Sequence, residues 1–83
     1  MGMNNRKQRY YDFILDELID DTRYDSEMGV VSTPDGNDFY ADDFFGGTSF
    51  ILYVMEMYGA KRKEAKEIWG IYKDRMRTIV KNG

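Results

Sequence analysis

The chain has 83 residues, a net charge of −3, and neither cysteine nor histidine. A chain of this length builds one modest core. The two missing residue types exclude disulfides, cysteine-based zinc sites, thiolate nucleophiles and every catalytic pair that relies on histidine. The sequence is therefore read as a single domain, residues 1–83, that works by binding and not by catalysis, with no cofactor and no metal.

Residues 5–21 read as a first helix. Tyr11, Ile14, Leu15, Leu18 and Ile19 recur on one face at helical spacing, and Asn4 or Asn5 can cap its start. Its bases, Arg6, Lys7 and Arg9, come first and its acids last. That order opposes the helix dipole, so packing must hold this helix.

Residues 28–41 read as a β-hairpin. Val30-Val31-Ser32-Thr33 favours strand, and Thr33-Pro34-Asp35-Gly36-Asn37 is a turn: proline fixes φ, the aspartate bonds nearby backbone, and glycine accepts a positive φ. Asp38-Phe39-Tyr40-Ala41 forms the return strand. Asp42 or Asp43 can then cap a short turn through Phe44-Phe45. After Gly46-Gly47, Thr48 or Ser49 is expected to cap a second helix, Phe50 to Tyr58, stopped by Gly59. A third helix runs from Lys61 to Lys81 with an apolar stripe of Ala65, Ile68, Trp69, Tyr72, Met76, Ile79 and Val80. The fold class is α+β, mainly helical, in the order α-β-β-α-α, with a small hairpin packed on three helices.

Charge is divided along this order. Between Asp12 and Asp43 stand eleven acids against the single base Arg23, whereas residues 44–83 carry eight bases and four acids. Such a block attracts basic protein surfaces, mimics a phosphate backbone, or simply solvates one face. The thirteen aromatic residues exceed what so small a core buries. Phe13, Phe45, Tyr58, Trp69 and Tyr72 are expected inside, leaving Tyr10, Tyr24, Phe39, Tyr40, Phe44 and Tyr53 as a surplus. An apolar anchor ringed by acids is what a contact to a basic protein surface needs. The expected partner-binding residues are therefore Asp20, Asp21, Asp25, Asp38, Phe39, Tyr40, Asp42, Asp43 and Phe44.

Three other motifs carry less. Asp35, Asn37 and Asp38 open like a calcium loop, but Tyr40 stands where glycine is required and Gly46 where the closing glutamate belongs. Gly46-Gly47-Thr48-Ser49 lacks the lysine of a phosphate loop and reads as a hinge and cap. Residues 50–71 have helix-turn-helix spacing around Gly59, with Val54, Tyr58, Ala60, Ala65 and Ile68 at burying positions. In a DNA-binding reading, Lys61, Arg62, Lys63 and Lys66 would reach phosphates.

In the same segment, Phe50-Ile51, Tyr58-Gly59 and Glu64-Ala65 resemble, in spacing, the late-transcription coactivator of T4-like phages. The resemblance covers residues 50–71. It implies a small helical module that holds the flap of host RNA polymerase without reading DNA sequence itself. Members of that family also end in an acidic–apolar tail that engages the sliding clamp. This chain ends Val80-Lys81-Asn82-Gly83, so the resemblance does not extend to clamp binding.

The sequence thus points first to a regulatory protein, phage-encoded on the resemblance, that grips a nucleic-acid enzyme such as RNA polymerase through an acidic–aromatic surface. The alternatives are a helix-turn-helix DNA-binding protein and an acidic DNA mimic that inhibits a host nuclease or defence complex. The most apolar stretch, residues 49–58, is too short to span a bilayer, and no apolar segment follows the basic N-terminus. The expected location is the cytoplasm, that of the host cell for a phage protein.

Overall fold

A computed structural model of the chain describes residues 2–43 and 46–82. Three helices and three strands follow in the order α1 (Gly2–Asp20), β1 (Arg23–Asp25), β2 (Val30–Ser32), β3 (Asp38–Tyr40), α2 (Thr48–Tyr58) and α3 (Arg62–Asn82). The α+β, mainly helical class expected from the sequence is the one observed. The expected hairpin proves to be a three-stranded antiparallel sheet, in the order β1-β2-β3. The extra strand, Arg23-Tyr24-Asp25, has only one strand-favouring residue, so local propensity could not announce it. Pairing creates it: Arg23, Tyr24 and Asp25 lie opposite Ser32, Val31 and Val30.

The β1–β2 turn is built by Asp25. Its carboxylate accepts hydrogen bonds from the backbone N–H of Glu27 at 3.0 Å and of Met28 at 3.2 Å. The β2–β3 turn closes as the sequence suggests, with the Thr33 N–H donating to the Asn37 carbonyl at 2.8 Å and that of Gly36 to the Thr33 carbonyl at 3.0 Å.

Thr48 and Ser49 do not cap α2. The cap is Gly47, in the left-handed region at φ 85°, with no side-chain hydrogen bond. Its own surroundings explain the choice. A Cβ on Gly47 would lie 2.3 Å from two atoms of the Trp69 indole, so only glycine lets the chain pass. Gly59 ends the same helix at φ 67°, as expected. At the start of α3 the Glu64 carboxylate accepts a hydrogen bond from the Lys61 N–H at 2.9 Å, the returning half of a capping box.

The core lies between the helices and the inner face of the sheet. Phe50 and Trp69 centre their rings 4.6 Å apart, Phe50 and Tyr72 also 4.6 Å, and Trp69 and Tyr72 5.8 Å. Around them are buried Tyr11, Ile14, Leu15, Leu18, Val31, Val54, Ala65, Ile68 and Met76. Phe13 is not in the core: it is 53% exposed, because it lies roughly 200° round the helix from Tyr11. Tyr58 is half-buried, and Phe45 lies outside the described residues. The stripe of α3 runs past the core, leaving Ile79 41% exposed.

Helices α1 and α3 exchange opposite charges. Lys7 meets Glu67 at 3.5 Å. Arg75 meets Asp12 at 3.1 Å and Asp16 at 3.9 Å. The charge division seen along the sequence is therefore partly closed by folding. Among the described residues, no helix is long and apolar enough to cross a membrane.

Candidate protein-binding surface

Strand alternation sorts the candidate residues between two faces of the sheet. Tyr24, Val31 and Phe39 share one row and face the helices. Val31 is fully buried, and the Phe39 ring lies 5.9 Å from that of Trp69. Phe39, expected among the surface anchors, is thus a half-buried residue that packs on the core. The rows on either side point away. One contains Asp25, Val30 and Tyr40, the other Arg23, Ser32 and Asp38.

Tyr40 is 65% exposed on that outer face, and Met28, in the β1–β2 turn, is 70% exposed. Backbone bonds bring the two segments together: the Ala41 N–H donates to the Gly29 carbonyl at 2.8 Å. The chain then folds back on Tyr40, with the Asp43 N–H donating to the Tyr40 carbonyl at 2.9 Å. This turn keeps the backbone of Asp43 against that of Tyr40, and Asp42 lines the same groove as the exposed Tyr40 side chain. Tyr40, Met28, Ala41 and Asp42 form one side of an open groove of about 570 Å³, whose other side is Arg77, Val80 and Lys81 of α3.

The acids of the surface do different work. Asp25 caps a turn. Asp38 accepts a hydrogen bond from the Ser32 hydroxyl at 2.7 Å. Asp35 holds the hairpin turn through the Thr33 hydroxyl and the Asn37 amide. Asp42 and Asp43 are exposed and, among the described residues, make no side-chain hydrogen bond or ion pair. Their carboxylates contribute charge to this surface.

Of the nine expected contact residues, the fold gathers Asp25, Asp38, Tyr40, Asp42 and Asp43 around one surface. Asp20 and Asp21 sit at the end of α1, on a different element. Phe44 lies outside the described residues. The sequence reading missed Met28 and the α3 residues across the groove. An apolar residue at an exposed turn, and an apolar stripe longer than so small a core can cover, were the available signals. Among the described residues, no three acidic side chains converge to hold a metal ion.

The basic set is also exposed. Lys61, Arg62, Lys63 and Lys66 lie at the start of α3. In the helical hairpin Val54, Ala60, Ala65 and Ile68 are buried, and Tyr58 and Met55 are half-buried. Glu67, on the same stretch, is engaged by Lys7 and by the Tyr11 hydroxyl at 3.0 Å. Those contacts hold its carboxyl below the ordinary range, the Tyr11 hydrogen bond contributing most.

Comparison with protein-family models, with curated proteins and with solved structures finds no match to this chain.

Proposed function

We propose that this protein is a non-enzymatic regulator that binds the basic surface of a nucleic-acid enzyme, such as an RNA polymerase, through the outer face of its sheet. One observation carries this reading. Tyr40, a large amphipathic side chain 65% exposed, lies next to Asp42 and Asp43, two acids whose carboxylates make no hydrogen bond or ion pair among the described residues. Exposed aromatics are favoured anchors of interfaces, and surrounding like charges steer an oppositely charged partner. Asp25 and Asp38 add to the field from positions fixed by their own hydrogen bonds. The resemblance of residues 50–71 to a phage transcription coactivator supports the same class of partner and a cytoplasmic setting.

A second reading rests on the exposed Lys61, Arg62, Lys63 and Lys66 at the start of α3, where a helix-turn-helix protein places its phosphate contacts. The acidic block weighs against it, because the same small molecule would bring those charges near DNA.

The test compares two variant sets as bait for the host enzyme. Combining Tyr40→Ala with Asp42→Asn and Asp43→Asn should abolish capture of the enzyme. Alanine at Lys61, Arg62, Lys63 and Lys66 should leave it intact. Salt-sensitive binding to duplex DNA, lost with the basic set and kept by the Tyr40 set, would overturn the proposal in favour of DNA binding.

A further inference from the structure

The groove between the sheet and α3 carries opposite charges on its two sides. Asp42 stands on the sheet side, with Asp43 next to it in the chain. Arg77 and Lys81 stand on the α3 side. Between them the apolar surface is Met28, Tyr40, Ala41 and Val80. Ile79, the residue before Val80 in α3, is 41% exposed. Arg77 is within 3.3 Å of Asp74, three residues before it on an exposed stretch of helix. A surface pair of that kind contributes little, so Arg77 can exchange it for a better partner.

A uniformly basic protein suits the outer face of the sheet but is repelled by the α3 side of the groove. The groove calls for a surface with an apolar centre, acids on one flank and bases on the other. This molecule has such a surface: the groove itself. We propose that a second copy of this chain docks here in an isologous, two-fold dimer. The rotation sets Asp42 and Asp43 of each copy against Arg77 and Lys81 of the other, with Met28, Tyr40 and Val80 enclosed between them. Each contact then occurs twice, as two-fold symmetry requires.

The dimer stands on the groove alone. One consequence rests on the proposed function: Tyr40 and Asp42 belong to both surfaces, so the dimer and the enzyme-bound form exclude each other. Self-association is then the unloaded state of the regulator.

Sedimentation of the purified chain tests the dimer without any partner. The expected result is a mass that rises with concentration from the 9.8 kDa monomer toward twice that value, with high salt favouring the monomer. A charge exchange tests the geometry. The double variant D42K/D43K should be monomeric, and so should R77E/K81E. An equimolar mixture of the two should dimerise again, because each contact then pairs opposite charges. Circular dichroism of each variant separates loss of dimer from loss of fold. A wild-type chain that stays monomeric at every concentration overturns the proposal. So does a mixture that fails to associate although both variants are folded. Enzyme capture by a monomeric wild type would leave the proposed function standing while the dimer falls.

Discussion

Replacing Gly47 by alanine is the sharpest test of how this fold is assembled. Two costs combine at that position. Its φ of 85° lies in the left-handed region, which costs an alanine about 1 to 2 kcal/mol. The added Cβ would also stand 2.3 Å from the Cε2 and Nε1 atoms of Trp69 and 2.8 Å from Cζ2. The indole has little room to retreat, because Phe50 and Tyr72 pack against it at 4.6 and 5.8 Å. Overpacking of that kind costs about 1 to 3 kcal/mol, giving a total of roughly 2 to 5 kcal/mol. That is a large fraction of the 5 to 15 kcal/mol by which domains are typically stable, about 5 being usual for small ones. Gly59 supplies the control. Its φ of 67° imposes similar backbone strain, but nothing lies within 4 Å of its added Cβ, so Gly59→Ala should cost only the backbone term of about 1 to 2 kcal/mol. Urea denaturation followed by Trp69 fluorescence measures both. Equal losses in the two variants would refute the role assigned to the Gly47–Trp69 contact.

Alkali should unfold the protein through Tyr72, which is buried, and Tyr58, which is half-buried. Burial pushes Tyr72 up to about 12, and burial together with the Glu17 carboxylate raises Tyr58 to about 12. Above pH 10 the unfolded chain loses these protons while the folded one keeps them, so the stabilisation is complete below pH 10 and is lost between pH 10 and 12. Tyr72→Phe should flatten that decline in a pH series of urea midpoints; an unchanged slope would count against it. Glu64→Ala removes the acceptor of the Lys61 N–H and should cost about 1 kcal/mol, seen as a lower melting temperature. Asp42→Asn with Asp43→Asn should change stability by less than about 0.5 kcal/mol, because neither carboxylate holds the fold together; a clear loss in a thermal melt would assign them a structural role.

The helices were legible because a buried face repeats every three or four residues. Tyr11, Ile14, Leu15 and Leu18 announced α1, and Ala65 through Met76 announced α3. The hairpin turn was legible because Pro34, Asp35 and Gly36 each have a specific backbone preference. What the sequence hid was tertiary in origin. Strand β1 has no pattern of its own and exists because β2 offers it an edge. Gly47 looked like part of a flexible joint, yet the ring of Trp69, twenty-two residues on, makes it obligatory. Phe39 and Tyr40 are adjacent and chemically alike, and composition could not divide them. Strand alternation sends one toward Trp69 and the other to the surface.

The acidic block shows the same division of labour. As a run of sequence it is eleven acids of one kind, but folding divides seven of them among three fates. Asp12 and Asp16 are met by Arg75 across the α1–α3 contact, so the excess of bases in the C-terminal half answers acids of the N-terminal half. Asp25, Asp35 and Asp38 tie turns and strands together through backbone, hydroxyl and amide donors. The carboxylates of Asp42 and Asp43 do neither among the described residues, and they stand where Tyr40 and Met28 leave apolar surface in water. A charge that serves folding is accounted for by its partner inside the molecule. The carboxylates of these two have no such partner among the described residues, and the two proposals above supply one: a basic enzyme surface against the sheet, or Arg77 and Lys81 of a second copy across the groove.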